Sequence, residues 1–409
     1  MVYRKDRGPV GKRGWRIMHI GFVCDEYPPA PHGGNGSLYS DLAEGLAAAG
    51  HRVTVVGVYP RRAVELYGQD ERMEGRLRVV RLCESASWLR TRPRFLWDRF
   101  RLKRWFVKEH RHAPFDAIEC PDYAGWLPFG GPQGVPVIVR IGGSNLLYDT
   151  ELNRPGFPFE QKLERMCLQR ADILAAVSGY AAERTLEICG MSGRRCTVVH
   201  NAVDAGLFGP LPEVSAEPGL IVFVNSLSPR KGIEQLMDAM NTVLATRTEA
   251  RLVVIGEEPG KTGSKPEYKE RLQQRLRPEF RSRVDFPGRL DRTRGVVSYL
   301  RRAAVCCYPS RMETFGLAPL EAMSTGRPTI FCRNGPGPEL IEDGVSGLLC
   351  EPSDPQDIAR KIIDVLADES LAARLGANAR QRVLARFDKA GWIKRNIEFF
   401  EACRSQGRK

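Results

Sequence analysis

Two glutamates, Glu313 and Glu321, stand eight positions apart across a predicted strand-to-helix junction. The apolar run 304–308 predicts a short buried strand that ends at Pro309, and a helical pattern begins near Leu317. We therefore expect Glu313 in the loop and Glu321 in the second turn of the helix. Because helical side chains tilt toward the helix N-terminus, the Glu321 carboxylate can approach the same loop. The two carboxylates would then flank one pocket.

Between the two carboxylates the chain offers a site for an anion. The backbone N–H groups of Phe315, Gly316 and Leu317 lie at the predicted helix N-terminus, where phosphates bind, and Gly316 allows a ligand to come close. A ligand with phosphate in its middle and hydroxyls at both ends fits this arrangement, which indicates a sugar nucleotide. Its sugar hydroxyls would meet Glu313 and its ribose hydroxyls Glu321. Taken singly, each glutamate is more simply a partner of the helix dipole or a solvated helix residue.

The same stretch resembles a known family of enzymes. The Glu-x7-Glu spacing, the Phe315-Gly316 pair, Glu-Ala-Met at 321–323 and Gly-Arg-Pro at 326–328 closely resemble the family 4 retaining glycosyltransferases of the GT-B fold. The resemblance extends over residues 18 to 368. It implies an α/β protein with two doubly wound, Rossmann-like domains that face a central cleft. It also implies front-face transfer of a hexosyl unit from a nucleoside-diphosphate sugar to an acceptor hydroxyl, with no cofactor and no obligatory metal.

Three further loops match the donor site of that family. Gly33-Gly34 follows the first predicted strand and corresponds to the double glycine that lies over the donor diphosphate. Lys231 precedes a glycine in a strand-to-helix loop and corresponds to the lysine that neutralises the diphosphate, although a solvated surface lysine is the simpler alternative. Gly288 lies in a loop that resembles the one beside the nucleotide base.

Two positions depart from the family pattern. Gly142 stands where the family often has a histidine near the sugar, and Ser226 stands where it usually has an arginine. Arg230 is the candidate replacement cation, and the alternative that it is only a surface residue stays open. With Glu313 and Lys231, Arg230 completes the predicted catalytic set. No side chain in these loops stands out as a nucleophile.

The length and composition suit two α/β domains. At 409 residues the chain exceeds one ordinary core, and short apolar runs alternate with helical patterns, as in parallel sheets. We expect a first, acceptor domain over 16–205, a second, donor domain over 217–389, and a C-terminal helix within 390–409 that joins the first domain. Eleven cysteines without a Cys-x-x-Cys motif indicate free thiols and argue against zinc. Without a signal peptide or a run of about 20 apolar residues, a cytoplasmic location is expected.

The net charge of +13 predicts anionic partners. No nucleic-acid-binding motif occurs, so we expect no nucleic acid partner. Phosphate-bearing donors and an anionic membrane surface both account for the charge, and so does a merely arginine-rich, solvated surface.

The segment from Trp88 to Arg111 concentrates this charge, with nine lysines and arginines against Asp98 and Glu109. A helix from Pro93 onward would carry two apolar stripes separated by basic residues. One stripe comprises Phe95, Leu102 and Phe106, the other Leu96, Phe100 and Val107, and Arg99 and Lys103 lie between them. One stripe could pack on the first domain while the other meets the inner face of a membrane, which would suit a lipid-linked acceptor. Equally, both stripes could be core.

Two other functions fit the same residues. A sugar-nucleotide 2-epimerase of similar architecture would use the donor pocket without an acceptor. A non-catalytic sugar-nucleotide-binding protein is suggested by Gly142 and Ser226. The presence of both Glu313 and Glu321 favours a transferase over the epimerase, and Lys231 argues against a decayed enzyme. Donor consumption that depends on an added acceptor would separate the first two.

Overall fold

The computed structural model of the protein describes residues 16–30, 33–72, 75–85, 92–257 and 266–406. The chain divides into two compact units. The first unit comprises the chain up to Cys120, Phe129–Ile138 and the chain from Phe400 onward, and the second unit comprises Pro121–Pro128 and Val139–Phe399. The domain boundaries expected from the sequence, 16–205 with 390–409 and 217–389, stay a prediction.

In the described part of the first half of the chain, eight strands form one sheet. They are β1 (His19–Val23), β2 (Arg52–Tyr59), β3 (Asp70–Arg72), β4 (Leu77–Cys83), β5 (Ala117–Pro121), β6 (Val137–Ile141), β7 (Ile173–Ala176) and β8 (Cys196–Val198). Their order is β3-β4-β2-β1-β5-β6-β7-β8. The strand β1 pairs in parallel with β2 and β5, whereas β3 is antiparallel to β4. Every residue of β1 is buried, which is typical of strands in parallel sheets covered on both faces.

Among the described residues of this half, six α-helices accompany these strands. They are α1 (Gly34–Ala48), α2 (Arg61–Tyr67), α3 (Arg92–His112), α4 (Asn145–Glu151), α5 (Pro158–Arg170) and α6 (Gly179–Ile188). The helix predicted from Pro93 onward is therefore confirmed as α3.

Outside the gap at 258–265, six strands of the second half form an all-parallel sheet. They are β9 (Leu220–Val224), β10 (Arg251–Ile255), β11 (Val284–Gly288), β12 (Val305–Tyr308), β13 (Thr329–Cys332) and β14 (Leu348–Cys350), in the order β11-β10-β9-β12-β13-β14. The helices of this half are α7 (Ile233–Thr246), α8 (Pro266–Gln274), α9 (Val297–Arg302), α10 (Leu317–Ser324), α11 (Gly337–Leu340), α12 (Pro355–Ala367), α13 (Glu369–Arg386) and α14 (Lys389–Gln406).

The core of this half lies between the six-stranded sheet and helices such as α7 and α12. The apolar face of α7 buries Leu236, Met240 and Val243, and α12 buries Ile358 and Ile362 in the same cluster. Parallel strands need helical crossovers, which explains why helices alternate with strands here. The predicted α/β class is confirmed, as are the buried strand before Pro309 and the helix that begins at Leu317. Within the described ranges, no helix is long and apolar enough to cross a membrane.

The strand order reverses direction between β9 and β12. From β9 the chain proceeds to β10 and β11 on one side, and it returns to add β12, β13 and β14 on the other. In open parallel sheets, ligands bind beyond the carboxyl ends of the strands at such a reversal. The loops that follow β9 and β12 are therefore the place for a site.

Candidate active site

A buried ion pair joins the two loops at this reversal. Lys231, which follows β9, donates a hydrogen bond from Nζ to Oε2 of Glu313, which follows β12. The two side chains are only 10% and 11% exposed. Burying two charges is costly and is weak evidence for stability, whereas paired, buried ionisable groups cluster at functional sites. The structure thus brings together two residues that stand 82 positions apart in the sequence.

Gly232 lets the two loops approach this closely. Its φ of +70° lies in the left-handed region, and a Cβ atom there would lie 1.7 Å from the carbonyl oxygen of Pro309. Beside this contact, the N–H of Arg311 donates to the carbonyl oxygen of Arg230 at 2.9 Å. Only glycine fits at position 232, which gives the Lys-Gly pair of the sequence a structural cause.

The charges around Glu313 keep it ionised. Burial opposes ionisation, but the nearby charges of Lys231 and Arg230 outweigh it and hold the pKa of Glu313 below its ordinary value. Burial lowers the pKa of the Lys231 ammonium, and the Glu313 carboxylate opposes that shift. Two cations thus lie near one carboxylate, which leaves a surplus positive charge suited to an anionic ligand.

Arg230 stacks on an aromatic ring that no sequence pattern singled out. Its guanidinium carbon lies 4.6 Å from the centre of the Tyr148 ring, and Tyr148 belongs to α4. Thr314, next to Glu313, also has a tertiary role: its hydroxyl donates to the carbonyl oxygen of Gly142 at 2.8 Å, and its own carbonyl accepts from Ser178 at 2.6 Å. The residue types of Tyr148 and Thr314 do not predict these contacts, because each contact joins residues that lie far apart in the sequence.

The predicted anion site lies at the start of α10. Gly316 is the N-cap residue, with φ +108°, and a Cβ atom there would lie 2.8 Å from the ring of Phe331. The α10 helix begins at Leu317, as the sequence indicates. The side chain of Phe315 is buried against the rings of His200 and Phe387, so Phe315 offers a ligand only its backbone.

Glu321 is held by a cation as well. Arg292 donates from Nε to Oε1 of Glu321 at 2.8 Å, with a second bond from Nη2 to the same oxygen, and its guanidinium lies 5.2 Å from the centre of the Phe208 ring. Glu321 is buried, whereas Arg292 is partly exposed. Arg292 follows Asp291, whose side chain caps the turn over residues 292–296. An aspartate at a typical N-cap position, directly before Arg292, is the local sequence pattern that could have indicated this residue.

Gly288 ends β11, two strands from β9. Its φ is +79°, and its carbonyl oxygen accepts the N–H of Gly256 at 3.0 Å. A Cβ atom on Gly256 would lie 1.8 Å from the carbonyl oxygen of Asn225, so the loops that end β9, β10 and β11 pack backbone against backbone. Gly288 is therefore in the same row of strand ends as the loop that carries Lys231.

Comparison with known proteins shows which family this chain resembles in sequence and in fold. Residues 212–382 match the family model "Glycosyl transferases group 1", and residues 32–207 match "Glycosyltransferase Family 4". Glycogen synthase of Mycobacterium tuberculosis is 26% identical over 392 residues, which cover 91% of each chain. Sucrose-phosphate synthase from Thermosynechococcus elongatus has a TM-score of 0.78 at 22% identity, over 95% of this chain and 99% of its own. Anabaena HepE in complex with UDP has a TM-score of 0.70 at 18% identity, over 94% of this chain and 100% of its own.

The chain belongs to the GT-B glycosyltransferases of the family 4 type. The prediction that it is an enzyme that transfers glycosyl units is thereby confirmed, as is the predicted fold.

The Gly33-Gly34 loop of this glycosyltransferase contains a carboxylate that the sequence pattern did not indicate. In the first unit, Glu26 accepts the N–H of Gly33 at 2.8 Å and the N–H of Gly36 at 2.7 Å, at the start of α1. Negative charge is favourable at a helix N-terminus. A phosphate that used these same N–H groups would have to replace the Glu26 carboxylate.

Two buried carboxyl groups hold the loop that carries Gly142. Asp122 accepts the N–H groups of Gly142 and Gly143 at 3.0 and 3.2 Å, and Glu164 accepts those of Asn145 and Leu146 at 3.1 and 2.8 Å. Burial raises the pKa of Asp122 to about 6, and burial together with the Asp122 charge raises the pKa of Glu164 to about 7. These carboxyl groups hold the backbone around Gly142, whose carbonyl oxygen accepts the Thr314 hydroxyl.

Proposed function

We propose that this glycosyltransferase moves a hexosyl unit from a nucleoside-diphosphate sugar to an acceptor hydroxyl, with retention of anomeric configuration. The observation that carries the proposal is the pair of Lys231 and Glu313 at the β9/β12 reversal, with Arg230 as a second cation. Anabaena HepE, which shares the fold, is known in complexes with UDP and with UDP-glucose. A nucleotide sugar is therefore the ligand class that best suits the cations of this site.

The chemistry follows from where charge develops. As the bond between the anomeric carbon and the phosphate oxygen breaks, negative charge grows on the departing diphosphate, and Lys231, Arg230 and the N–H groups near Gly316 would stabilise it. The ionised Glu313 would accept hydrogen bonds from sugar hydroxyls, and Glu321 from the ribose hydroxyls. The acceptor oxygen then bonds to the anomeric carbon from the same face, and its proton passes to the leaving phosphate oxygen. In this proposed step one bond to the anomeric carbon breaks, one forms and one proton is transferred, so neither a cofactor nor a metal is needed.

Slow hydrolysis of the donor, in which water takes the place of the acceptor hydroxyl, tests the proposal without knowledge of the acceptor. UDP-, GDP-, ADP- and dTDP-sugars would be incubated with the protein, with and without a chelator, and the released nucleoside diphosphate and sugar followed by NMR. We expect one donor class to be consumed, with or without chelator, and the newly released sugar to keep the anomeric configuration of the donor. Release of the inverted sugar would contradict front-face transfer, and consumption of no donor would contradict the choice of ligand class.

We further propose that α3 holds the enzyme at an anionic membrane surface. Residues 88–91 of the predicted basic segment lie outside the described residues. In α3, Leu102 and Phe106 are fully buried, as the predicted stripe requires, whereas Phe95 is 44% exposed. Trp97 and Phe100 are 48% and 41% exposed, with their ring centres 5.7 Å apart.

Basic side chains continue this aromatic face. Arg104 and Lys108 are exposed one and two turns beyond Phe100, and the Arg104 guanidinium lies 5.9 Å from the Phe100 ring centre. By contrast Arg99, predicted between the stripes, is buried and donates to the carbonyl oxygen of Phe95. Exposed aromatic rings next to cations suit the interface of an anionic bilayer, where each basic residue contributes about 1 kcal/mol. An enzyme placed there would suit a lipid-linked acceptor.

Vesicle flotation tests the membrane proposal. We expect the protein to float with anionic vesicles at low salt and to be released at high salt, because salt screens exposed charges. Arg104→Glu with Lys108→Glu should abolish flotation, whereas the matched pair Arg360→Glu with Lys394→Glu, on α12 and α14, should not. Equal binding to neutral vesicles, or full binding of the Arg104 and Lys108 variant, would show the proposal to be wrong.

A further inference from the structure

Tyr148 lies in the second unit and contacts Arg230, the residue before Lys231 of the ion pair. It is the fourth residue of α4, a helix that Ser144 caps by accepting the N–H of Leu147 at 3.2 Å. The cap and the buried Leu147 fix the direction of this short helix. The Tyr148 ring is thereby presented to Arg230 at 4.6 Å.

The Tyr148 hydroxyl lies close to the backbone of Gly143. A Cβ atom on Gly143 would lie 2.5 Å from the phenolic oxygen, and Gly143 has a φ of +130°, so the loop leaves room for this oxygen and for no side chain. Burial raises the pKa of Tyr148, and the charge of Arg230 opposes that shift. The phenol therefore stays protonated at neutral pH and acts through its position.

Arg230 gains direction from this contact. An arginine side chain has many rotamers, and attraction to the Tyr148 ring favours those that place the guanidinium over it. Arg230 remains partly exposed, so its guanidinium can still meet a ligand. The Arg230 charge also helps to hold the pKa of Glu313 below its ordinary value, so Arg230 interacts electrostatically with the ion pair.

We propose that Tyr148 is a positioning residue for glycosyl transfer: its ring holds the Arg230 guanidinium beside Lys231 and Glu313, where a second cation meets the departing diphosphate. The inference rests on the proposed function, because it needs a diphosphate at this site. Tyr148 lies outside the donor loops, and its ring contacts Arg230, which lies one residue before the buried Lys231.

Binding of nucleotides, without turnover, tests this role. The probe is whichever of UDP, GDP, ADP and dTDP binds most tightly by calorimetry, compared with its monophosphate. We expect Tyr148→Leu to weaken diphosphate binding roughly five- to tenfold, the range for a lost cation–π contact, and to change monophosphate binding much less. Tyr148→Phe keeps the ring and should bind as the wild type does.

A double-mutant cycle separates positioning from mere structure. In an Arg230→Ala background, Tyr148→Leu should weaken diphosphate binding no further, because the residue that it positions is gone. If Tyr148→Leu fails to fold, Arg230→Lys provides the test, since lysine keeps the charge but not the planar stacking, and it should show the same diphosphate-specific loss. Equal losses for mono- and diphosphate, or an undiminished loss in the Arg230→Ala background, would overturn the inference. A wild-type protein that binds no nucleoside diphosphate would instead overturn the proposed function.

Discussion

At the scale of single residues, each of the two glutamates forms an ion pair with a basic side chain. Lys231 pairs with Glu313, and Arg292 pairs with Glu321. The two pairs differ in exposure, because Lys231 is buried whereas Arg292 is partly exposed. We infer that the first pair lies at the reacting centre and that the second serves recognition at its edge.

Replacement of Glu321 by alanine should therefore weaken donor binding more than it slows the chemical step. Ribose hydroxyls change little between ground state and transition state, so a contact to them affects both alike. We expect KM to rise and kcat/KM to fall on the order of 10²-fold, while kcat changes much less. The exposed Glu187→Ala is the matched control. An unchanged KM in Glu321→Ala would show that this carboxylate does not meet the donor.

At the scale of elements, the site depends on two loops that touch through glycine. Gly232→Ala would place a methyl group against the Pro309 carbonyl oxygen. Gly190 has nearly the same φ, +68° against +70°, but a Cβ atom at that position would have no neighbouring atom within 4 Å. Gly190→Ala should thus cost only the strain of the left-handed conformation, about 1 kcal/mol.

Gly232→Ala should cost several times more than Gly190→Ala and should also lower turnover, since the Lys231 and Glu313 loops must separate. Urea denaturation and donor hydrolysis are measured on both variants. Gly232→Ala combines the steric clash with backbone strain, whereas Gly190→Ala has the backbone strain alone. Equal losses of stability in the two variants would mean that the loops are not held together at position 232.

The buried carboxyl groups Asp122 and Glu164 give the fold a dependence on pH. Their pKa values, about 6 and about 7, lie above the ordinary 3.8 and 4.5, so the folded protein binds these protons more tightly than the unfolded chain does. Their contribution to the free energy of unfolding is full below about pH 4 and is lost as the pH rises to about 7. For each carboxyl group this amounts to on the order of 3 kcal/mol.

Asp122→Asn should flatten this dependence, because asparagine keeps an oxygen for the Gly142 and Gly143 N–H groups and does not ionise. Urea denaturation at pH 5, 6 and 7 measures it, with the exposed Glu187→Gln as control. The wild type should lose stability between pH 5 and 7, and the variant should lose less. A variant with the wild-type pH profile would show that Asp122 does not carry the effect.

The strand and the helix beside the site were predictable from the sequence, whereas the side-chain contacts within the site were predictable only in part. A buried apolar run, Pro309 and Gly316 mark the end of β12 and the start of α10 by local chemistry, which the sequence displays directly. The contacts of Arg292, Thr314 and Tyr148 join distant parts of the chain, and no local pattern encodes them. In α3, periodicity indicates which residues share a face, but not how far the underlying surface extends, so Phe95 is exposed although Leu102 and Phe106 are buried.

At the scale of the whole molecule, a bound nucleotide should raise the melting temperature. A ligand at a hundred times its Kd stabilises the folded protein by about 2.7 kcal/mol. Differential scanning of UDP, GDP, ADP and dTDP should therefore reveal one nucleotide with a shift of several degrees. If none of the four shifts the transition at millimolar concentration, the second unit does not bind nucleoside diphosphates in this way.

The rate of donor turnover in Lys231→Ala tests most directly whether the Lys231 and Glu313 pair is the catalytic centre. Charge on the leaving diphosphate grows toward the transition state, so the loss of the buried cation should lower kcat more than it weakens donor binding, with kcat/KM down on the order of 10²-fold. The exposed Lys394→Ala should turn over the donor as the wild type does. If Lys231→Ala is folded, binds the donor and turns it over at a near-normal rate, the assignment of the Lys231 and Glu313 pair as the catalytic centre is wrong.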